Sequence, residues 1–343
     1  MSTKNMASVY CTIFDSNYLA RALVLHASLM RVNRSALFAF FCIDDCSADL
    51  LDRLQLERSI IVRHEEFSSP ELKQIRPHRS RGEYCWTCKP VALLHLMARI
   101  PDAEWVVYVD TDMMFFSDPD AALPGPTAHY LLTPHRFHHA FERSERQAGK
   151  HNAGYVAGRC SSIGKQAMTW WKDKCLASCS SIPTETTYAD QKYLDEFSKH
   201  FLAGDSSSHK GLNAAPWNIE NYQVTVDEDL VRVDDMTLLL YHFQGLQLFD
   251  DGTASLYIGD RYLPRDIQAA IYTPYMSEIT RAYSSIRKMV PEFKDGLIDK
   301  RRTQGGIVAR TLSFIRRRRN IVRFELSLSL EKTAVSLYKI TSK

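Results

Sequence analysis

Two carboxylates one residue apart, Asp110 and Asp112, directly follow an apolar run at residues 105–109. Carboxylate oxygens suit Mg²⁺ or Mn²⁺, and such an ion keeps positions open for phosphate oxygens. Short acidic pairs are also common in turns, so the pattern alone indicates a metal site weakly. The apolar residues 113–116 on the other side strengthen the indication, because they place the pair in a loop between two buried segments.

The elements around this pair predict an open α/β sheet. Strand-like apolar runs alternate with helical spacing along the first third of the chain, which predicts a mostly parallel sheet covered by helices. The predicted strands are 9–14, 37–43, 60–62 and 105–109, and the predicted helices are 18–30, 48–56 and 89–99, with Pro90 in a first turn. Ligands of such sheets bind at the carboxyl ends of the strands, where the acidic pair stands.

The rest of the chain continues this pattern and then changes character. Further strands are predicted at 130–133, 152–157 and 237–242, and further helices at 162–177 and 188–199. From about residue 286 the sequence becomes basic and helical, with a run from Arg316 to Arg319. We therefore predict a catalytic-type domain over 1–285 and a basic, amphipathic helical region over 286–343.

Composition excludes several classes of protein. A net charge of +3 is too small to indicate a nucleic-acid partner. The sequence offers neither a signal peptide nor an apolar segment long enough to span a membrane, so we expect a cytoplasmic protein whose eight cysteines are reduced. The arginine run fits peripheral contact with anionic lipid on the inner face of the membrane, or a helix packed on the domain.

An ordered set of sequence blocks resembles a known family. The blocks are VYCTIFDSNYLARALVLHASL, YCWTCKPVALLHL, WVVYVDTDMMFFSDP, HNAGYV, DQKYLD, HKGLNAAPWN and YHFQGL. They occur in the order found in bacterial glycosyltransferases similar to glycosyltransferase family 8, and cover residues 9–248. This resemblance implies a GT-A fold, Rossmann-like, to which the basic region predicted after residue 286 adds a C-terminal helical appendage. It implies transfer from a nucleoside diphosphate sugar, UDP-linked and retaining, to a glycan or lipid-linked acceptor in surface polysaccharide synthesis.

The resemblance also implies roles for individual residues. Asp110, Asp112 and His242 are expected to bind Mn²⁺ or Mg²⁺, with Asp110 also contacting the nucleotide. Lys89 is expected to face the diphosphate, Asp190 to bind sugar hydroxyls, and Gln191 to lie near the reacting carbon. The expected nucleotide, donor-sugar and phosphate contacts are Thr12, Phe14, Asp15, Asn17, Tyr18, Asn152, Gly154, His209, Lys210, Asn218 and Gly245.

Many of these residues have an ordinary structural alternative. Asp15 and Asn17 suit helix caps, His242 suits a strand end bonded to backbone, and Trp217 suits a loop anchor. His135 and Arg136 after the strand at 130–133 are weaker candidates for the cleft. The family often carries a lysine after its histidine-glycine motif. This chain has Gln247 there instead, so the counter-charge for phosphate must come from Lys89, Lys210 or an arginine.

Competing functions remain open at this point. Cys85 and Cys88 imitate a redox motif, and with Cys175 and Cys179 they offer a loosely spaced zinc site, although core cysteines are the ordinary interpretation. A sugar nucleotidyltransferase would require a glycine-rich basic loop after the first strand, which IFDSNYLARA lacks. The other alternative is a protein that binds a nucleotide sugar without catalysis.

Overall fold

The computed structural model describes residues 8–228, 230–256 and 263–300, together with the backbone of residues 321–323. The helices are α1 (Leu19–Val32), α2 (Asp45–Leu54), α3 (His64–Phe67), α4 (Pro70–Ile75), α5 (Arg81–Arg99), α6 (Glu142–Ala148), α7 (Ser162–Ala177), α8 (Phe197–His200), α9 (Arg265–Ile267) and α10 (Thr273–Arg287). The strands are β1 (Val9–Phe14), β2 (Leu37–Cys42), β3 (Ser59–Arg63), β4 (Trp105–Val109), β5 (Met113–Phe115), β6 (Tyr130–Pro134), β7 (His151–Arg159), β8 (Asp205–Ser206), β9 (Val224–Asp227), β10 (Leu230–Val233), β11 (Met236–Thr237), β12 (Leu240–His242), β13 (Gln247–Phe249), β14 (Thr253–Ser255), β15 (Leu297–Ile298) and β16 (Ile321–Arg323).

A seven-stranded sheet organises the protein. Its order is β3-β2-β1-β4-β7-β6-β8, and four of its six pairings are parallel. The pairings of β7 with β4 and with β6 are antiparallel. The predicted mostly parallel α/β sheet is therefore confirmed, and β7 brings its first residues to the carboxyl end of β4.

Strand β1 shows why helices cover both faces of the sheet. Its side chains alternate: Tyr10 and Phe14 enter the core formed with α1 and α10, whereas Cys11 and Ile13 enter the core formed with α5 and α7. Every residue of β1 is buried, as is typical of a central strand covered on both sides. The apolar run of β1 thus packs against helices on both faces of the sheet. Polar residues can follow where the strand ends, at the edge of the sheet.

Three predicted elements differ in the structure. Helix α5 starts at Arg81, where Ser80 and Glu83 form a capping box, so Pro90 lies inside the helix rather than in its first turn. Packing of α5 against β1, β4 and α7 outweighs the hydrogen bond that proline removes. The predicted helix at 188–199 is instead a turn, a 3₁₀ helix at Lys192–Glu196 and α8. The predicted strand at 237–242 is interrupted and divides into β11 and β12.

A smaller sheet and a C-terminal helix complete the described structure. Strands β15, β13, β14 and β16 form a four-stranded sheet in that order, and α10 packs on α1. The predicted boundary at 285/286 falls in the last turn of α10, and residues 301–320 and 324–343, including the arginine run, lie outside the described residues. The division into two domains stays a prediction, but β15 and β16 lie inside the region predicted to be helical and are strands that pair with β13 and β14. In the part of the chain that is described, every helix is too short or too polar to cross a bilayer.

Candidate active site

The acidic pair stands where β4 ends and β5 begins. The Asp110 amide donates to the carbonyl of Gly154 at 2.8 Å, and the Asp112 carbonyl accepts from the Phe243 amide at 2.8 Å. Between them, the Thr111 hydroxyl donates to the Ile13 carbonyl at 3.1 Å and is 2.8 Å from the Thr12 hydroxyl. Thr111 thus ties the loop to the end of β1. This anchoring fixes both carboxylates at the carboxyl edge of the sheet, as the sequence predicts.

His242 reaches the same point through a second pair of strands. Strand β12 pairs antiparallel with β5 and sets His242 opposite Met113, the residue after Asp112. The His242 Nε2 is 3.1 Å from an Asp112 oxygen. One ligand atom from each of Asp110, Asp112 and His242 lies within 4.8 Å of the others. Two oxygens and an imidazole nitrogen form a donor set that fits Mn²⁺ or Mg²⁺.

The electrostatics of Asp112 favour its charged form. Burial works to raise its pKa, but His242 and Arg21 outweigh burial and lower the pKa. Asp112 is therefore ionised at neutral pH.

Gly154 allows β7 to lie directly against this group. A methyl group at residue 154 would stand 2.5 Å from the Met113 Cε, 2.6 Å from the Asn152 Oδ1 and 3.0 Å from the His242 Cε1. A methyl group there would force the Met113, Asn152 or His242 side chain to shift, so the glycine allows this close approach.

A buried lysine connects Asp110 to Asp190. Lys89 in α5 is 3% exposed, and its Nζ lies 2.8 Å from Asp110 and 3.1 Å from Asp190. It also donates to the carbonyl of Ala153 at 3.3 Å, and the Tyr108 hydroxyl donates to Asp110 at 3.0 Å. Burial raises the pKa of Asp190 to about 6, against the opposing influence of Lys89. Lys89 is a central member of the site rather than a solvated helix residue.

Asn152 and Gln191 meet in a second polar cluster beside this one. The Asn152 amide donates to the His135 Nε2 at 3.2 Å and to the Gln191 Oε1 at 3.4 Å. The Asn213 amide donates to the Asn152 Oδ1 at 3.0 Å. Gln191 in turn donates to the carbonyl of Ala148 at 2.9 Å. The donor-sugar residues implied by the resemblance are therefore brought together.

Asp195 fixes the segment that carries Asp190 and Gln191, and the sequence interpretation missed it. Its carboxylate accepts from the amide of Lys150 at 2.8 Å and from the amide and Nδ1 of His151 at 3.0 and 2.8 Å. These bonds join the 3₁₀ helix after Gln191 to the start of β7. DQKYLD does contain this acid five residues after Asp190, but nothing in its spacing indicates the partner.

The first strand-to-helix turn divides into core and surface residues. Thr12 and Phe14 are buried in the core, whereas Tyr18 is 43% exposed. Asp15 caps the 3₁₀ turn by accepting from the Asn17 amide at 3.0 Å, and it pairs with Arg81 at 2.8 Å. The predicted capping role of Asp15 is confirmed, and the nucleotide role of this turn stays a prediction.

The HKGLNAAPWN loop contributes mainly structural contacts. Asn218 is fully buried and donates to the His135 carbonyl at 2.8 Å, and Trp217 donates to the same carbonyl at 2.9 Å. Lys210 pairs with Asp234 at 2.9 Å. His209 precedes it, half-buried, with a pKa that burial lowers. The described contacts of Lys210 are thus with the hairpin of β10 and β11 rather than with the acidic pair.

Gly245 lies in the turn after His242. Its φ of +77° is in the left-handed region, and the turn is closed by the Leu246 amide donating to the Phe243 carbonyl at 3.1 Å. Glycine suits this backbone conformation.

The cysteines support neither a redox nor a zinc site. All eight are free thiols, and burial raises the pKa of Cys85 to about 12, which makes it a poor nucleophile. Within the described ranges, the group formed by Asp110, Asp112 and His242 is the one found with three convergent ligands.

Comparisons with known proteins agree with this architecture. The uncharacterised protein YfnD of Bacillus subtilis (strain 168) is 34% identical over 262 residues, which are 76% of this chain and 84% of YfnD. YfnF of the same organism is 28% identical over 251 residues, 71% of this chain and 83% of YfnF. No family model matches the chain. A crystal structure of the galactosyltransferase LgtC with donor and acceptor sugar analogues superposes with a TM-score of 0.50 at 15% identity, covering 80% of this chain and 95% of LgtC. The chain belongs to the family of YfnD and has the GT-A fold of glycosyltransferases similar to family 8.

Proposed function

We propose that the protein is a glycosyltransferase that moves a sugar from a nucleoside diphosphate sugar to an acceptor hydroxyl. One observation carries the proposal. On a GT-A fold, Asp110, Asp112 and His242 bring one ligand atom each within 4.8 Å at the carboxyl edge of the sheet. LgtC, a galactosyltransferase crystallised with both substrate analogues, supports the same class of reaction for this chain.

We assign Asp110, Asp112 and His242 to a divalent cation, Mn²⁺ or Mg²⁺. When bound, such an ion would neutralise negative charge on the diphosphate that leaves. The His242 Nε2 faces the Asp112 oxygen at 3.1 Å, so an ion must displace any proton held between them. Metal affinity should therefore fall as the pH is lowered.

Lys89 orients the two acids on either side of it. Its ammonium group holds Asp110 toward the diphosphate and Asp190 toward the donor sugar, where Asp190 can accept from sugar hydroxyls. Lys89 and Asp190 are buried, which strengthens their effect on developing charge. Lys89 is thus a positioning residue for both ends of the donor.

Gln191 and Asn152 face the sugar in this proposal. The bond from the anomeric carbon to the diphosphate oxygen breaks, the acceptor oxygen bonds to that carbon, and the proton of the acceptor hydroxyl passes to the departing diphosphate. An amide is too weak a nucleophile to attack, so Gln191 stabilises the oxocarbenium-like centre by its dipole. The resemblance to family 8 favours a retaining outcome, in which the acceptor oxygen approaches the same face of the sugar that the diphosphate leaves. Asp15, Asn17 and Tyr18 at the first turn hold the base and ribose, with UDP the expected carrier.

A change at Asp112 tests the proposal directly. Nucleoside diphosphate sugars carrying UDP, GDP or dTDP are first screened for thermal stabilisation of the protein with and without Mn²⁺. Asp112→Ala should then abolish Mn²⁺-dependent hydrolysis of the donor that binds. Asp173→Asn, at an exposed acid on α7, serves as the matched control and should keep full activity.

The outcomes separate the competing functions. Unchanged turnover in Asp112→Ala contradicts the metal-site assignment. Binding without hydrolysis or transfer in the wild type indicates a non-catalytic binding protein. Release of pyrophosphate from a nucleoside triphosphate and a sugar phosphate indicates a nucleotidyltransferase.

For the acceptor we propose a glycan or a lipid-linked sugar in bacterial surface polysaccharide synthesis, used by a cytoplasmic enzyme that contacts the inner face of the membrane. The arginines of residues 316–319 are the proposed contact with anionic lipid. Co-sedimentation with vesicles containing phosphatidylglycerol tests this, because alanine at all four arginines should lower the bound fraction. Equal sedimentation of the variant and the wild type removes the membrane proposal.

A further inference from the structure

Arg21 is a buried cation beside the proposed site. It occupies the third position of α1 and is 6% exposed. Its Nη2 donates to the Leu246 carbonyl at 3.1 Å, in the turn after His242. Its guanidinium carbon lies 4.9 Å from the centre of the Tyr18 ring. Arg21 therefore links the first strand-to-helix turn to the loop that follows the third metal ligand.

The charge of Arg21 is poorly balanced within the protein. Over residues 8–228, 230–256 and 263–300 it takes part in no ion pair. Burial lowers its pKa, yet Tyr275, Tyr18, Tyr283 and Asp112 together outweigh burial and raise the pKa. Of these neighbours only Asp112 is charged at neutral pH. Because a buried charge is costly unless it is paired, an arginine in this state indicates an anionic partner outside the chain.

The other cations near the site are already paired. Lys89 lies between Asp110 and Asp190, and Lys210 is held by Asp234. Arg31, on the same helix as Arg21, is half-exposed and pairs with Glu278 at 3.6 Å. Arg21 is thus the cation best able to accept an anion without breaking an existing ion pair.

The hydroxyl of Tyr275 is a second, independent sign of a missing partner. Tyr275 is fully buried, and its ring stacks on Phe243 at 3.7 Å. Among the described residues its hydroxyl has no hydrogen-bond partner. The Tyr275 phenol and the Arg21 guanidinium each influence the pKa of the other, so the two groups lie near one another. A phenol donor and a guanidinium close together, both with unused N–H or O–H groups, suit a phosphate oxygen.

We propose that Arg21 and the Tyr275 hydroxyl bind the diphosphate of the donor. This inference rests on the proposed function, since it names the residues that recognise the leaving group. A guanidinium matches phosphate geometry with two parallel donors, and it stays charged at any working pH. The hydrogen bond from Arg21 to the carbonyl of Leu246 then fixes the orientation of the guanidinium.

A purely structural role for Arg21 predicts a different result. If Arg21 only connects α1 to Leu246, its replacement should change the stability of the fold and lower the affinity for all ligands equally. If Arg21 binds the diphosphate, its replacement should lower the affinity for a nucleoside diphosphate more than the affinity for the matching monophosphate. The comparison of these two ligands therefore separates the roles.

The experiment measures dissociation constants by calorimetry with Mn²⁺ present. The ligand is whichever of UDP, GDP and dTDP the wild-type protein binds most tightly, with its monophosphate alongside. Arg21→Gln should weaken the diphosphate about tenfold to hundredfold, as expected for a lost charged hydrogen bond, and the monophosphate much less. Arg31→Gln is the matched control, because Arg31 donates to the Phe115 carbonyl at 3.1 Å from the same helix. It should leave both affinities unchanged.

Tyr275→Phe keeps the stacked ring and removes only the hydroxyl, so it should fold and should weaken the diphosphate several-fold. Equal diphosphate affinity in Arg21→Gln and the wild type overturns the inference. If Arg21→Gln does not fold, equal affinity in Tyr275→Phe overturns it instead. A wild-type protein that binds none of the three diphosphates contradicts the proposed function itself, which is a distinguishable result.

Discussion

Replacing His135 by glutamine should make the protein less sensitive to mild acid. His135 is 3% exposed, stacks on Phe137 at 4.5 Å and accepts a hydrogen bond from Asn152 at its Nε2. Burial lowers the pKa of His135 to about 4. The ring must stay neutral, because a protonated Nε2 can no longer accept from the Asn152 amide.

The sign and size of the effect follow from linkage. The folded-state pKa of about 4 lies below the unfolded value of about 6.5, so the unfolded chain gains a proton first as the pH falls. Stability is therefore lost below pH ~6.5, and the loss levels off near pH ~4. Between pH ~7.5 and ~5, His135 alone lowers the free energy of unfolding by about 2 kcal/mol.

Urea unfolding at the two pH values measures this contribution. Burial also lowers the pKa of four other histidines, so the wild-type loss should exceed that of His135; these are His26, His64, His95 and His209. The difference between proteins isolates His135. His135→Gln should lose about 2 kcal/mol less than the wild type on acidification, whereas His78→Gln, at an exposed histidine, should lose as much as the wild type. An equal loss in His135→Gln and the wild type would refute the argument.

Two further changes test the centre of the site. Gly154→Ala should displace His242, lower the Mn²⁺ affinity about tenfold or more and lower the free energy of unfolding by about 1–3 kcal/mol. Gly125→Ala is the control: its added methyl group would contact nothing within 4 Å, so neither quantity should change. Equal Mn²⁺ affinity of Gly154→Ala and the wild type in calorimetry would contradict this prediction. Lys89→Met should destabilise the protein by about 3–5 kcal/mol by leaving Asp190 buried and unpaired. Adding Asp190→Asn should restore much of that stability in urea but no activity, and a double variant no more stable than the single one would count against the buried pair.

Local sequence signals predicted most of the elements that carry the site. Helix α7 has the bounds that its spacing indicates, residues 162–177, because Ser161 caps its start and its apolar positions repeat on one face. The fully apolar β1 and β4 are equally clear, since both faces of each strand are buried. The acidic pair follows from the same information, because it interrupts an apolar run where a central strand must end.

Contacts between distant segments could not be predicted in this way. The place of His242 depends on the pairing of β12 with β5, and both are three-residue strands with little periodicity of their own. The capping box at Ser80 and Glu83 was a readable signal for the start of α5, but Pro90 misleads any local interpretation of that helix. Arg21 is similar. Only the fold shows that an arginine at helical spacing lies buried beside Tyr275.

The balance of charge around the site explains why a metal ion and a diphosphate should bind together. Asp110, Asp112 and Asp190 oppose the permanent cations Lys89 and Arg21, so these five side chains together carry one negative charge in excess when all three acids are ionised. A divalent cation held as proposed reverses that sign, and a diphosphate then finds a positive site of low dielectric. The diphosphate without the ion would meet repulsion from the acids. The ion without the diphosphate would leave Arg21 beside a second positive charge. Each ligand should therefore raise the affinity of the other by the same factor, since coupling between two binding sites is reciprocal.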